Sequence, residues 1–185
     1  IPEIADEPAA VDEAMRLGYN WKFGPFELID KLGPAWFAAK LRAEGQPVPA
    51  FLDRVGEGTF YRVQDGVLHQ FSETQGYIPV TRAKGVLMLA DVKRRAKPVA
   101  SNRSASLWDI GDGVACLEFH SKMNSLNPFT LSMINKSIDI VQRDYKALVI
   151  YNEGSQFSVG ANVGLLLIPA FLHAWFLVGP LVAMG

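Results

Sequence analysis

Ser106-Leu107-Trp108-Asp109-Ile110-Gly111-Asp112-Gly113-Val114-Ala115-Cys116-Leu117-Glu118-Phe119 is the stretch that decides how this chain folds. Two apolar-rich runs flank Gly-Asp-Gly, residues that accept the positive φ of a tight reversal, so the stretch predicts a β-hairpin. Toward the C-terminus, Leu131, Ile134, Ile138 and Val141 recur at helical spacing, predicting an amphipathic helix over Pro128–Asp144. Residues 147–151 form a short apolar run closed by a polar loop, which predicts a buried strand. The order is strand, strand, helix, strand.

Toward the N-terminus the texture is helical. Ala10, Val11, Ala14, Met15 and Leu17 share one helical face, and Gly18 is placed to stop that helix. Gly18-Tyr19-Asn20-Trp21-Lys22-Phe23-Gly24-Pro25-Phe26-Glu27-Leu28-Ile29-Asp30 then reads as an interhelical corner. Gly24 frees the backbone, Pro25 starts the next helix, and aromatic side chains fill the elbow. Further short helices are expected over 36–42, 51–54 and 80–90. Residues 59–63 and 67–71 are β-like runs about a turn at Gln64-Asp65-Gly66. Residues 91–105, with Lys93, Arg94, Arg95 and Lys97 and then Ser101-Asn102-Arg103-Ser104, read as a solvated linker. The expected division is therefore 1–90, a linker at 91–105, and 106–185, in an α+β chain.

The composition excludes several classes of function. The chain has 185 residues and a formal net charge of −1, so no basic surface points to nucleic acid. A single cysteine, Cys116, rules out an intrachain disulfide and fits a reducing compartment; a cytoplasmic location is expected. His69, His120 and His173 lie far apart with no metal-ligand spacing, and no metal is expected. The first residues show no basic-then-apolar leader pattern. Residues 160–185 carry no Asp, Glu, Lys or Arg. Leu165 to Met184 is about long enough to cross a bilayer core of roughly 30 Å. Against a span, Trp175 and Phe176 sit mid-run rather than at an interface, and Gly179-Pro180 breaks a helix.

Two motifs carry family resemblances. An amphipathic helix ending in Ala14-Met15-Arg16-Leu17-Gly18, followed by Gly24-Pro25-Phe26-Glu27-Leu28 and Asp30, resembles the C-terminal domain of 3-hydroxyacyl-CoA dehydrogenases. Gly56-Glu57-Gly58-Thr59-Phe60-Tyr61 looks like that domain's closing segment. Over residues 4–71 this likeness implies an all-α domain that packs on a separate NAD-binding domain and helps enclose an acyl-CoA. The chain has no GxGxxG after a strand, and His69 does not match the family's catalytic histidine. The second likeness covers 107–164. Gly113 to Phe119, then Lys122-Met123-Asn124-Ser125-Leu126-Asn127, a helix, a strand and Phe157-Ser158-Val159-Gly160-Ala161, is similar to the opening of the crotonase (enoyl-CoA hydratase) superfamily. It implies a partial ββαβ start of a crotonase fold.

That second resemblance implies a site. The backbone N–H of Ala161 becomes one donor of an oxyanion hole, aimed at a thioester oxygen that gains charge in an enolate-like transition state. Lys122, Asn124, Ser125, Gly160, Ala161, Asn162 and Gly164 are the implied coenzyme A and substrate contacts, with Asn162 where the family usually has Asp. Gly24, Pro25, Phe26 and Glu27 are expected to be structural. The family's second oxyanion glycine and its two glutamates lie beyond this motif, and Glu153, which matches neither, is expected to be a solvated loop residue. Water addition needs a general base and a general acid.

Dehydrogenase tail followed by hydratase head is the order of bifunctional β-oxidation enzymes. The sequence therefore reads as an internal fragment of such an enzyme, inactive alone, that binds no cofactor by itself. The parent would use NAD and an acyl-CoA. Its partners would be the acyl-CoA thioester and the NAD-binding domain of the same enzyme, with self-association left open. Two other readings stand beside it. One is a non-catalytic interaction or assembly module, favoured if Trp21, Phe23, Trp36 and Phe37 are exposed. The lesser one is a tail-anchored membrane protein.

Overall fold

A computed structural model describes residues 4–154 and 156–161, a mixed α+β chain that divides into two compact units, 1–87 and 88–185. The apolar tail at 165–184, with Asn162 and Gly164, lies outside the described residues. No helix among the described residues is long and apolar enough to cross a membrane.

The first unit holds four helices, α1 Pro8–Tyr19, α2 Pro25–Leu32, α3 Pro34–Ala43 and α4 Ala50–Val55, then a three-stranded antiparallel sheet. Its strands are β1 Tyr61–Gln64, β2 Val67–Ser72 and β3 Gly76–Pro79. The expected all-α region thus carries a sheet, and β3 had no signal in the sequence. Proline at the first turn starts α1, α2 and α3, where its missing N–H leaves no bond unmade. Helix α1 runs past Gly18 and stops at Asn20, whose left-handed backbone (φ 54°) does the capping expected of the glycine. Asp65 and Gly66 both take positive φ, as a two-residue hairpin of Gln64 paired with Val67 requires.

The core of this unit is aromatic. Phe26 meets Phe60 edge-on at 4.7 Å between centroids, Phe51 lies 5.3 Å from Phe60, and Phe71 continues the stack at 5.6 Å from Phe51. Ala38, Leu52 and Val55 close around them. Burial of such rings is the main stabilising term, and their edge-to-face contacts add to it.

The second unit contains a helix α5 Leu89–Arg95 and a four-stranded sheet in the order β4-β5-β6-β7. These strands are β4 Ala100–Ser101, β5 Ala105–Asp109, β6 Val114–Phe119 and β7 Ala147–Ile150. Strands β4 to β6 are antiparallel, and β7 joins β6 in parallel after the crossover helix α6, Pro128–Asp144. A parallel neighbour needs such a crossover, which is why a long helix separates these strands in sequence. One sheet face, with Leu107, Ala115, Leu117 and Phe119, packs on Met133 of α6. The other holds Trp108 and Cys116 beneath Leu89 and Val92 of α5.

Four expectations are corrected. Residues 80–88 are not helical: Gly85 takes φ 82°, and the helix begins at Leu89. The stretch 91–105 contains most of α5, then β4 and the start of β5. Helix α6 fully buries Thr130, Met133 and Ser137; of the expected face, Ile134 and Val141 pack against the same core, while Ile138 points outward. Among the described residues strand β7 is an edge of this sheet, and Val149 and Ile150 are exposed rather than buried.

Candidate functional site

Two segments of the second unit come together beyond β6. The first, residues 122–126, opens with one 3₁₀ turn, Lys122–Asn124, in which Met123 and Asn124 both adopt left-handed backbone (φ 56° and 53°). The second is 156–161, the stretch after β7. They are laced by four hydrogen bonds, and a fifth lies within the second segment. The Val159 N–H donates to the Met123 carbonyl (3.3 Å) and the Leu126 N–H to the Gly160 carbonyl (2.8 Å). The Asn124 amide donates to the Gln156 carbonyl (3.1 Å). The Ser158 hydroxyl donates to the Asn124 carbonyl (2.6 Å) and accepts from the Gly160 N–H (3.0 Å).

Leu126 and Ala161 form a parallel bridge. In a parallel pair, a residue whose N–H reaches the carbonyl preceding its partner leaves that partner's own N–H turned away from the pair. Because Leu126 bonds to the Gly160 carbonyl, the Ala161 N–H is directed away from Leu126. Gly160 makes this possible through its φ of 79°, a left-handed backbone that side chains other than glycine's resist.

The sequence-expected contacts fall unevenly. Asn124, Ser125, Gly160 and Ala161 lie in the two laced segments. Lys122 is on the same turn and exposed. Ser125 is buried, and its carbonyl accepts from the Ser121 hydroxyl (2.7 Å) and the Thr130 hydroxyl (3.4 Å). Asn162 and Gly164 lie outside the described residues. Asn152 went unnoticed in the sequence, yet it anchors the site. Buried just past β7, it accepts from the Phe119 N–H (2.6 Å) and donates to the Phe157 carbonyl (2.6 Å). The signal was a lone amide directly after an apolar run.

Glu153 is not the solvated loop residue expected. It is half-buried and accepts from the Leu89 N–H (2.5 Å) and the Ala90 N–H (2.9 Å), so it caps the start of α5 from a distance of more than sixty residues. Lys93 is likewise engaged: its ammonium bonds both oxygens of the buried Glu118 (2.7 and 2.9 Å), which also accepts from the Trp108 indole N–H (3.2 Å). Both carboxylates therefore serve structure. Burial is the main influence raising the Cys116 thiol above its usual range, which disfavours the thiolate a nucleophile would need.

The corner motif lies in the first unit. Gly24 has no side chain to cap α2, and Asp12 of α1 supplies the cap instead. Its carboxylate accepts from the Phe26 N–H (2.8 Å), the Glu27 N–H (3.1 Å) and the Tyr61 hydroxyl (2.8 Å). A Cβ on Gly24 would fall 2.2 Å from the Asp12 Cβ, so only glycine fits. Glu27 reaches back to the Gly24 N–H (2.9 Å) and pairs with Arg16. Asp30 accepts from the Phe60 and Tyr61 N–H groups (2.6 and 2.8 Å). Burial raises the pKa of Asp12 and Asp30, against the lowering effect of these N–H donors. The Tyr61 phenol is pushed far above its usual range, first by burial and then by Asp12, and stays a hydrogen-bond donor.

The described residues do not fit NAD. No glycine-rich turn leads a strand into a helix, and the amides at the start of α6 are already taken: Asn127 accepts from the Phe129 and Thr130 N–H groups (2.9 and 3.1 Å). Among the described residues no group of three or more His, Cys, Asp or Glu is placed to hold a metal ion.

No protein-family model matches the chain. Over 169 residues, 90% of its length, the chain is 38% identical to a Bacillus subtilis (strain 168) protein named "Probable 3-hydroxyacyl-CoA dehydrogenase". It is 27% and 26% identical, again over 90% of its length, to proteins of Rickettsia felis and Rickettsia prowazekii, each named "Putative fatty acid oxidation complex trifunctional enzyme". The chain spans 21% of the length of each of these curated relatives.

Proposed function

We propose that this chain is a section of a fatty-acid β-oxidation enzyme that oxidises 3-hydroxyacyl-CoA with NAD and hydrates trans-2-enoyl-CoA. The observation that carries the dehydrogenase part is the 38% identity to the Bacillus subtilis relative over nine-tenths of the chain; the hydratase part rests on the resemblance of residues 107–164 to the crotonase opening and on the geometry at Ala161. In this reading residues 1–90 belong to the C-terminal domain of the dehydrogenase, and residues 106–185 open a crotonase-type hydratase. The Ala161 N–H supplies one oxyanion donor. Two features support that role: its direction away from Leu126, and the four hydrogen bonds that join its own segment to residues 122–126, with a fifth inside that segment. A preorganised donor needs no reorganisation as charge develops on the thioester oxygen, and one such donor is worth about 3 kcal/mol.

The rest of the chemistry comes from elsewhere in the enzyme. Among the described residues Glu118 and Glu153 are committed to structural bonds, which supports placing the hydratase's general acid and base, like the NAD-binding residues, in other parts of the enzyme. In this reading the isolated chain is inactive. The helical unit presents Trp21, Leu28, Leu32 and Trp36 to its surface, with Trp36 56% exposed, and this supports packing against a further domain such as the NAD-binding one. Phe37, by contrast, contributes to the core.

The test is to assay the full-length protein carrying this sequence with a short trans-2-enoyl-CoA and, separately, with a short 3-hydroxyacyl-CoA plus NAD. Loss of the conjugated-thioester absorbance in the first and NADH formation in the second are expected. Absence of both, in protein shown to be folded, overturns the reading.

A further inference from the structure

We infer that Ser158 is the residue that aims the Ala161 N–H, acting as a positioning group for the thioester site. The inference rests on the function proposed above and deepens it. Ser158 is the one side chain in the loop that bonds in both directions. Its hydroxyl donates to the Asn124 carbonyl across the site (2.6 Å) and accepts from the Gly160 N–H two residues on (3.0 Å).

The consequence follows from backbone geometry. The peptide carrying the Ala161 N–H is the Gly160–Ala161 peptide. Its other polar end, the Gly160 carbonyl, is held by the Leu126 N–H (2.8 Å). Its direction is then set by the torsions of Gly160, and glycine is the residue with the softest torsions. The Gly160 φ of 79° is not enforced by neighbouring atoms, since a Cβ there would meet nothing within 4 Å. What restrains Gly160 on its N-terminal side is the bond from its N–H to Ser158. The Asn124 carbonyl that Ser158 grips belongs to a residue itself in left-handed backbone (φ 53°), so the hydroxyl joins two uncommon backbone conformations. Removing it frees Gly160 to turn and leaves the Asn124 carbonyl without that donor. A donor misaimed by about 1 Å forfeits much of its effect on a developing charge.

The experiment compares Ser158→Ala and Ser158→Thr with the parent in the full-length protein, using two readouts. The first is backbone amide exchange of the 156–161 segment without ligand. The second is the absorbance red shift of a conjugated, chromophoric trans-2-enoyl-CoA on binding, which reports polarisation of its carbonyl, together with kcat and KM for hydration. Ser158→Ala is expected to speed exchange at Gly160, shrink the red shift, and lower kcat roughly ten- to a hundredfold with KM little changed. Ser158→Thr, which keeps the hydroxyl, is expected to restore all three. Unchanged Gly160 exchange or an undiminished red shift in Ser158→Ala overturns the role of Ser158 alone. Faster exchange in Ser158→Ala, with a parent protein that gives no red shift, overturns the thioester function and the role of Ser158 with it.

Discussion

Asp12 shows how one side chain decides the conformation around it. It sits inside α1, where a carboxylate ordinarily faces water, yet it is 1% exposed and carries the cap of a different helix. The sequence hides this, because a cap is sought just ahead of the helix it serves, and there Gly24 offers none. Only the clash a Cβ would make explains why that position is glycine. Asp12→Asn keeps a single acceptor and turns an amide donor toward the Phe26 and Glu27 N–H groups, so a loss of about 1–3 kcal/mol of unfolding free energy is expected. The loss should depend on pH. The native pKa of Asp12 is raised above its usual 3.8, so the native form holds the proton that the unfolded chain releases. The stability linked to that proton is fully present below about 3.8 and is lost as pH rises through the native pKa. Urea titrations of parent and Asp12→Asn should therefore show the gap between them narrowing from acid toward neutral pH. A gap constant with pH contradicts the account.

Elements were legible in the sequence where their own residues determine them. Helix α6 begins and ends as its periodicity implies, and the hairpins at Asp65-Gly66 and Gly111-Asp112-Gly113 follow from residues that tolerate positive φ. The failures arise where something other than an element's own periodicity decides: a partner distant in sequence, or a polar side chain satisfied within its own helix. Helix α5 starts at Leu89 rather than near residue 80, because Glu153 caps it there. The buried stripe of α6 contains Thr130 and Ser137 because their hydroxyls are satisfied internally, by the carbonyls of Ser125 and Met133, and small side chains fit close to the sheet. Strand β7 was expected to be buried on its apolar composition, but burial depends on neighbours, and among the described residues its sheet partner is β6 alone. The candidate site divides in the same way. Its glycine and its asparagine were readable as types, while the tie from Asn152 to Phe119 and Phe157 was not. Removing the distant cap with Glu153→Ala should cost about 0.5–2 kcal/mol in thermal or urea unfolding and speed amide exchange at Leu89 and Ala90. Unaltered exchange at those two amides contradicts the capping role.

The whole molecule divides into two compact units. The first is an aromatic core beside the buried Asp12 carboxylate, and the second is a four-stranded sheet followed by an isolated bridge between Leu126 and Ala161. The chain spans 21% of the length of each curated relative, and in the function proposed above this chain contributes surfaces and one donor while other parts of the enzyme contribute the cofactor and the proton-transfer groups. The claim at the centre is that the Ala161 N–H meets a thioester oxygen. The most direct measurement is the amide resonance of Ala161 in full-length protein labelled with ¹⁵N-alanine, followed as saturating butanoyl-CoA is added. The account predicts a downfield shift of the Ala161 amide proton as it gains a hydrogen bond. An Ala161 resonance that stays in place at saturation contradicts it.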